Sequence, residues 1–376
     1  MTLTCDALIV GGGPAGSSCA RQLRQAGMDV VIMDKQTFPR DKVCGGWVTP
    51  GVLAELGIDR REYAASGRVI QAITGFRTSI LGHKEVETRY GRDVSYGIRR
   101  CEFDHYLLQR CGARLVLGEA FKGMERSGAR WIVNGAIQTP LVIGGGGHFC
   151  PVARHFGAQL GSSECVVAAQ EVEFEMTARQ QADCRILGEI PELFFLEDLS
   201  GYGWCFRKGN VLNIGLGRLD NRNLSRYVDN FVSFLKASGK IPEDTPAHFH
   251  GHAYLLYEDS KRRLVENGAL LIGDAAGLAY GQTGEGIRPA IESGLLAART
   301  VVQAQGDYSR DRLSAYAKAL ALRLGPRGKG ESRIGSLVNA SIAPKIGKRL
   351  MASRWFSRHV LIDRWFLHSH QAPLQV

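Results

Sequence analysis

A glycine-rich hexapeptide near the start of the chain carries the clearest chemical signal. Residues 11–16 read Gly-Gly-Gly-Pro-Ala-Gly, with glycines at the first, third and sixth positions. An apolar run at 7–10 precedes the hexapeptide and a helix-like stretch follows it, so backbone amides at a helix N-terminus can approach a pyrophosphate. The residues expected to contact a dinucleotide here are Gly11, Gly13, Pro14, Ala15 and Gly16.

An acidic residue after the next predicted strand completes the dinucleotide pattern. Asp34 follows the apolar run at 30–33. A carboxylate there can accept a hydrogen bond from a ribose hydroxyl, and it favours a free 2′-hydroxyl over a 2′-phosphate. Both FAD and NAD meet that requirement. Lys35, the next residue, joins the expected cofactor contacts.

A second glycine-rich region selects between the two cofactors. Residues 271–276 read Leu-Ile-Gly-Asp-Ala-Ala, and residues 283–287 read Thr-Gly-Glu-Gly-Ile. A helix that begins at 284–287 would stabilise negative charge on a reduced flavin. Together these segments resemble the second FAD motif of the p-hydroxybenzoate hydroxylase-like flavoproteins. The resemblance implies FAD as the cofactor and contacts from Gly273, Asp274, Gly284, Glu285, Gly286 and Ile287.

Within that superfamily the chain resembles the geranylgeranyl reductases, which saturate isoprenoid double bonds. Three further segments carry the resemblance, at residues 41–46, 98–104 and 201–206. The first implies that Cys44 and Gly45 lie near the flavin, and the second implies that Arg100 lies along the FAD. The resemblance extends from residue 5 to about residue 300.

The third segment predicts a strand with an aromatic face. Tyr202, Trp204 and Phe206 alternate, so their side chains would share one face and offer an apolar wall to a substrate. The spacing alone fits ordinary core packing equally well. Arg207 follows, and its guanidinium either anchors a pyrophosphate or carboxylate head group or ends the strand in solvent.

The resemblance implies an FAD-dependent oxidoreductase that transfers hydride to a carbon–carbon double bond of an isoprenoid or another apolar substrate. Cys44 and Tyr202 are the candidate proton donors, and Trp204 is a third candidate catalytic residue. The electron donor stays open between NAD(P)H and a reduced electron carrier. Residues 144–147 are four glycines and lack the aspartate that many relatives carry there.

Two alternatives to the reductase hypothesis follow from the same motifs. An FAD-dependent monooxygenase or halogenase would use the same architecture, although halogenases carry Trp-x-Trp-x-Ile where this chain has Tyr202, Trp204 and Phe206. A non-catalytic flavin electron carrier or a membrane-associated sensor is an alternative of another class.

Length and composition indicate a folded enzyme. The 376 residues are 44% hydrophobic and 22% charged, which favours two globular domains. Nine cysteines without a CxxC pair indicate a reducing compartment and no metal site. Residues 1–10 hold no basic residue and favour a strand over a signal peptide, and the uncharged stretch 131–153 is interrupted by Pro140 and His148, so we expect a cytoplasmic protein.

The predicted fold class is α/β (α+β). A Rossmann-like FAD-binding domain would contain an inserted antiparallel-sheet substrate domain and end in a helical C-terminal segment. The FAD-binding domain is assigned to residues 1–70, 97–160 and 255–325, the substrate domain to 71–96 and 161–254, and the basic C-terminal segment to 326–376.

The C-terminal segment concentrates positive charge. Residues 326–376 hold nine Lys/Arg and two Asp/Glu, while the whole chain has a net charge of +10. Residues 354–358 and 363–367 combine these cations with large aromatic residues, which suits peripheral contact with an anionic membrane. A basic helix that packs on the body through its aromatic residues is the alternative. Nucleic acid is not an expected partner, because no nucleic-acid-binding module accompanies the charge.

Overall fold

The computed structural model of the protein describes residues 2–159, 164, 166–219, 222–328 and 343–375, with the backbone alone at 343–346. The strands are β1 (Leu3–Thr4), β2 (Ala7–Val10), β3 (Val30–Asp34), β4 (Trp47–Val48), β5 (Ile70–Ile73), β6 (Gly75–Ile80), β7 (Val86–Arg89), β8 (Ser95–Ile98), β9 (Arg114–Leu117), β10 (Met124–Ser127), β11 (Arg130–Val133), β12 (Ile137–Thr139), β13 (Val142–Gly144), β14 (Val166–Glu175), β15 (Glu192–Phe195), β16 (Gly201–Lys208), β17 (Val211–Arg218), β18 (His250–Leu255), β19 (Val265–Glu266) and β20 (Ala269–Leu271).

The helices lie between groups of these strands and after the last of them. They are α1 (Pro14–Gln25), α2 (Pro50–Glu55), α3 (Arg60–Ala65), α4 (Arg100–Arg110), α5 (Pro151–His155), α6 (Ala178–Asp183), α7 (Leu224–Ala237), α8 (Ile287–Ala304), α9 (Arg310–Leu324), α10 (Ala343–Met351) and α11 (Arg354–Phe356), with a 3₁₀ turn at Gly273–Ala276 and a π-helical segment at Ser357–Phe366.

A largely parallel sheet forms the nucleotide-binding half of the protein. Its order is β19-β20-β13-β2-β3-β9, and every neighbouring pair except β19–β20 is parallel. The sequences of β2, β3 and β20 are continuous apolar runs because both faces of such a sheet are buried. The structure confirms the strand–turn–helix–strand unit predicted for residues 5–34.

A seven-stranded sheet forms the other half, in the order β18-β14-β17-β16-β15-β6-β7. All its neighbouring pairs are antiparallel except β15–β6. Helix α7 packs on one face, where the Phe231 ring fills the space beside Gly203. The opposite face carries Tyr202, Trp204 and Phe206 towards the parallel sheet. Two smaller sheets, β1-β12-β11-β10 and β4-β8-β5, complete the described topology.

The described part of the C-terminal segment is helical from Ala343 to Phe366, and part of it packs into the core. Leu361, Ile362, Trp365 and Phe366 of the π-helical segment are buried against the aromatic face of the seven-stranded sheet. Trp355, in contrast, is 67% exposed. The segment therefore packs on the body through part of its aromatic residues, and Trp355 is left on the surface. In the described part of the chain, we find no helix with the length and hydrophobicity needed to cross a membrane.

Helices α1 and α8 cross in close contact at Gly294, where α8 has no room for a side chain. A Cβ atom added at Gly294 would lie 2.3 Å from the backbone oxygen of Ala15. Because Ala15 belongs to the first turn of α1, this contact also positions the glycine-rich turn that precedes the helix.

Replacing Gly294 by alanine should separate the two helices. We expect Gly294→Ala to lower the free energy of unfolding by about 1–3 kcal/mol through overpacking, measured by chemical denaturation. Arg299→Ala, on the exposed side of the same helix, is the control and should have little effect. Equal stability of the two variants would show that the crossing tolerates a side chain.

Candidate functional site

A cavity of about 580 Å³ lies between the parallel sheet and the aromatic face of the seven-stranded sheet. This volume is within the range of small-molecule sites in proteins. Both glycine-rich regions and strand β16 contribute to its wall. Every site residue named in the sequence analysis lines the cavity except Gly16 and Arg207.

The first glycine-rich turn has the shape that a pyrophosphate requires. Gly11 has φ +116°, and a Cβ atom there would lie 2.3 Å from the carbonyl oxygen of Gly145. Gly16 lies under the turn and not in the cavity wall, since its Cβ would be 1.9 Å from the Gly11 oxygen. Helix α1 begins at Pro14 without an acidic residue in its first turn, so its N-terminus favours an anion.

The carboxylate of Asp34 is held at the edge of this turn. Its Oδ2 accepts the backbone N–H of Gly12 at 2.7 Å, and its Oδ1 accepts the N–H of Gln36 at 2.9 Å. A carboxylate has about four acceptor positions, so both oxygens retain capacity for ribose hydroxyls. The position fits the predicted ribose contact.

Asp274 is the acidic residue of the second glycine-rich region, and it lines the cavity. His252 Nε2 lies 3.6 Å from its Oδ2, and Lys42 Nζ lies 2.5 Å from the same histidine nitrogen. Burial opposes ionisation, but the contact with His252 and the charge of Lys42 outweigh it and hold the pKa of Asp274 well below its usual range. The carboxylate can therefore accept hydrogen bonds from hydroxyls of a bound cofactor.

Glu285 lies just before helix α8 and caps an amide of its first turn. Its Oε1 accepts the backbone N–H of Arg288 at 2.8 Å. Burial raises the pKa of Glu285 to about 7, against the effect of that hydrogen bond. The side chain thus lines the cavity and satisfies one of the free amides at the helix N-terminus.

The loop that carries Cys44 is joined to the aromatic strand by one amide. Asn213 Nδ2 donates to the carbonyl oxygen of Cys44 at 3.2 Å, and Asn213 Oδ1 accepts the indole N–H of Trp204 at 2.7 Å. Cys44 is half-buried, and its Sγ accepts the N–H of Gly46 at 3.4 Å. Asn213 was not among the predicted site residues, although it begins the segment 213–217 that faces strand β16.

A buried ion pair holds the side-chain amide of Asn213 in place. Lys208, which is fully buried, donates to Glu173 Oε2 at 2.7 Å, and Asn213 Nδ2 contacts the same oxygen at 3.1 Å. Burial raises the pKa of the neighbouring Glu171 to about 8. Glu171 therefore keeps its proton at neutral pH, and Lys208 and Glu173 form a balanced ion pair beside it.

The aromatic wall forms as predicted. Tyr202, Trp204 and Phe206 share the cavity face, and the rings of Tyr202 and Trp204 are 6.1 Å apart. The Tyr202 hydroxyl donates to the carbonyl oxygen of Thr283 at 2.6 Å, which ties the wall to the second glycine-rich region. Burial raises the pKa of Tyr202 well above 10. Its proton is difficult to release, which weighs against the predicted role as a proton donor.

The structure corrects the head-group role predicted for Arg207. Adjacent residues of a strand point to opposite faces, so Arg207 points away from the cavity that Phe206 lines. Its guanidinium donates to the backbone oxygens of Gln181, Cys184 and Gly209 at 3.0–3.4 Å. These contacts hold the loops on the far side of the sheet.

Trp47 and Phe366 are two aromatic residues of the cavity wall that were not predicted. Trp47 follows the Cys44 loop directly, and its ring packs edge-on against Phe206 with centroids 6.1 Å apart. Its place beside a motif was a usable signal. Phe366 comes from the C-terminal segment, where the sequence pattern gave no sign of contact with the cavity.

Comparison with known proteins identifies the cofactor class. Residues 6–102 match the family model of the FAD dependent oxidoreductases. The chain is 28% identical to digeranylgeranylglycerophospholipid reductase 2 of Methanosphaera stadtmanae, over 83% of this chain and 81% of the relative. It is 29% identical to a menaquinone reductase of Mycobacterium tuberculosis, over 86% and 81%. The chain is an FAD-dependent oxidoreductase, and it is similar to the digeranylgeranylglycerophospholipid reductases.

Solved structures show the same fold. The FAD-dependent oxidoreductase aligns with a geranylgeranyl bacteriochlorophyll reductase-like protein of Thermoplasma acidophilum with a TM-score of 0.77 and 20% identity, over 93% of this chain and 91% of that one. The flavin-dependent halogenase CmlS aligns with a TM-score of 0.66 and 20% identity, over 86% and 63%. The cavity therefore lies in a fold shared by reductases and halogenases.

Removing the Asp34 carboxylate should weaken FAD binding to this oxidoreductase. We expect Asp34→Ala to raise the dissociation constant for FAD by roughly 10- to 100-fold, because a hydrogen bond to a charged group contributes about 1.5–3 kcal/mol. Titration of the apoprotein with FAD, followed by flavin fluorescence, measures the change.

Asp311→Ala provides the control for this experiment, since it removes an exposed carboxylate from the first turn of helix α9. Its FAD affinity should equal that of the unmodified protein. An unchanged affinity in Asp34→Ala would exclude the ribose contact.

Proposed function

We propose that the protein reduces carbon–carbon double bonds of an isoprenoid substrate. The observation that carries the proposal is one continuous cavity that joins the glycine-rich turn to a wall of aromatic side chains. The names of several relatives include a digeranylgeranyl lipid as the compound that is reduced. An aromatic wall next to a flavin site suits a long apolar chain, because its binding free energy comes from burial of hydrocarbon surface.

The wall on strand β16 presents no unpaired polar group to such a chain. The Trp204 indole N–H is bound to Asn213, and the Tyr202 hydroxyl is bound to Thr283. An apolar substrate therefore contacts the ring surfaces without leaving these donors unsatisfied. We assign substrate binding to Tyr202, Trp204 and Phe206.

Reduced FAD, held by the two glycine-rich regions, would supply the hydride in this proposal, and saturation of the double bond also requires a proton. Cys44 is the side chain assigned to donate it. Its thiol lines the cavity, and the Asn213 amide fixes the loop that carries it. Tyr202 keeps its proton on the Thr283 oxygen and contributes to substrate orientation.

An anaerobic reoxidation assay tests the reductase function. The holoenzyme is photoreduced, prenyl substrates are added, and the absorbance of the oxidised flavin at about 450 nm is followed. We expect reoxidation without oxygen and a product two hydrogens heavier by mass spectrometry. Photoreduction makes the assay independent of whether NAD(P)H or a reduced carrier is the natural donor. Reoxidation only after admission of air would favour a monooxygenase instead.

Substitution of Cys44 tests the proton donor in the same assay. We expect Cys44→Ala to slow substrate-dependent reoxidation by about a hundredfold or more, the usual contribution of a general acid, with normal FAD content. Cys101→Ala is the matched control, because Cys101 is also half-buried but does not line the cavity. Equal rates for the two variants would assign the proton to another group.

We also propose that the C-terminal segment contacts an anionic membrane surface. Trp355 is 67% exposed and Leu350 is 41% exposed. The side chains of Arg349, Arg354 and Arg358 are exposed in the same short segment. Exposed aromatic and aliphatic groups flanked by cations complement the headgroup region of an anionic bilayer.

Co-sedimentation with phosphatidylglycerol vesicles tests this contact. The double variant Trp355→Ala, Arg354→Gln should bind about tenfold more weakly, since each surface cation contributes about 1 kcal/mol and the indole adds to it. The variant Leu322→Ala, Arg312→Gln removes an exposed apolar residue and a cation from helix α9 as a control. Equal losses in both double variants would show that binding follows net charge alone.

A further inference from the structure

We infer that Phe366 limits the length of the hydrocarbon chain that the cavity accepts. The inference rests on the proposed function and adds a specificity-determining residue to it. Phe366 is 3% exposed and lines the cavity, yet it belongs to the C-terminal segment. The motifs that carry the family resemblance all lie before residue 300. This part of the wall therefore comes from outside those motifs.

The Phe366 ring is packed firmly among the other aromatic residues of the wall. It stacks on Trp47 with ring centroids 5.4 Å apart and an interplanar angle of 11°. Its contacts with Tyr202 and Phe195 are edge-on, at 5.5 Å and 6.4 Å. Rings from four separate parts of the chain thus support one another in the stacked and edge-on geometries that aromatic pairs prefer.

Hydrogen bonds before Phe366 fix the backbone that carries it. The Tyr90 hydroxyl donates to Asp363 Oδ1 at 2.6 Å, and the Ser369 hydroxyl donates to the Asp363 carbonyl oxygen at 2.8 Å. Leu361 and Ile362 are fully buried in the same turns. The ring therefore belongs to a docked helical segment.

A second set of contacts holds the chain after Phe366. The His368 ring packs on Tyr280 with centroids 3.9 Å apart. Arg323 donates to the carbonyl oxygen of Ala372 at 2.8 Å, and Arg288 donates to that of Gln371 at 3.2 Å. With both flanks attached, Phe366 acts as a fixed wall for a substrate chain.

The volume of the Phe366 ring predicts how much longer a prenyl chain the Phe366→Ala variant should bind. Phe366→Ala removes a six-carbon ring, which is close to the volume of one five-carbon isoprene unit. Cavities left by such substitutions in a packed wall collapse only partly, so most of this space becomes accessible to a ligand. The longest chain that binds well should then increase by about one isoprene unit.

The experiment measures binding to the oxidised holoenzyme, independently of turnover. Saturated polyprenyl alcohols of increasing length are titrated, and the dissociation constants are obtained from the change in the flavin absorbance spectrum. In the unmodified protein, affinity should rise with each unit up to a limiting length. In Phe366→Ala the limit should move up by one unit, with at least a tenfold change in the affinity ratio of the two lengths around it.

Two further variants distinguish a specificity role from core packing. Phe366→Leu keeps an apolar side chain of intermediate size and should preserve the fold with a smaller shift of the limit. Phe356→Ala removes a ring of the same segment that packs on Trp365 and does not line the cavity, so its length limit should stay unchanged. Thermal melting and FAD content confirm that each variant is folded.

Each outcome has a defined meaning. A limit that shifts in the two Phe366 variants and stays constant in Phe356→Ala supports the inference. The same limit in all proteins overturns it while leaving the reductase function intact. If the unmodified holoenzyme binds none of the alcohols, the proposed substrate class is wrong, and the chain-length role of Phe366 fails with it.

Discussion

The close approach of backbone to backbone around the first glycine-rich turn is the constraint on which the rest of the structure depends. A Cβ at Gly11 or Gly16 would overlap a carbonyl oxygen, and a Cβ at Gly294 would overlap the first turn of helix α1. These three contacts place the N-terminus of α1 at the carboxyl end of strand β2, where an anion is stabilised by the free amides. The second glycine-rich region reaches the same point because helix α8 lies against α1.

The two halves of the protein meet through a small number of buried polar contacts. Asn213 joins the Cys44 loop to Trp204, and Tyr202 joins the aromatic strand to Thr283. Directional bonds of this kind set the distance between the flavin side and the substrate side of the cavity, which packing of apolar surfaces alone would leave free to vary. The ion pair of Lys208 and Glu173 holds the side-chain amide of Asn213 in place.

In the C-terminal segment, some aromatic residues pack inwards and others are exposed to solvent. Cations and aromatic residues alternate along it, and the π-helical turn directs Trp365 and Phe366 inwards while Trp355 remains in solvent. The proposed membrane contact at Trp355 and the cavity-lining ring of Phe366 thus belong to one helical segment.

The sequence by itself determined the FAD cofactor, the α/β fold and the shared face of Tyr202, Trp204 and Phe206. The fold and the shared face follow from local patterns, namely glycine spacing, apolar runs and the twofold period of a strand. The choice of FAD over NAD follows from the resemblance of residues 271–287 to a flavoprotein motif. The same period shows that Arg207 cannot share a face with Phe206, so that error was avoidable. Only the tertiary structure revealed Asn213 as a bridge and Phe366 as a wall, because contacts between segments far apart in the chain leave no periodic signal in either one. The same holds for the ionised state of Asp274, which depends on Lys42 and His252 from two other segments.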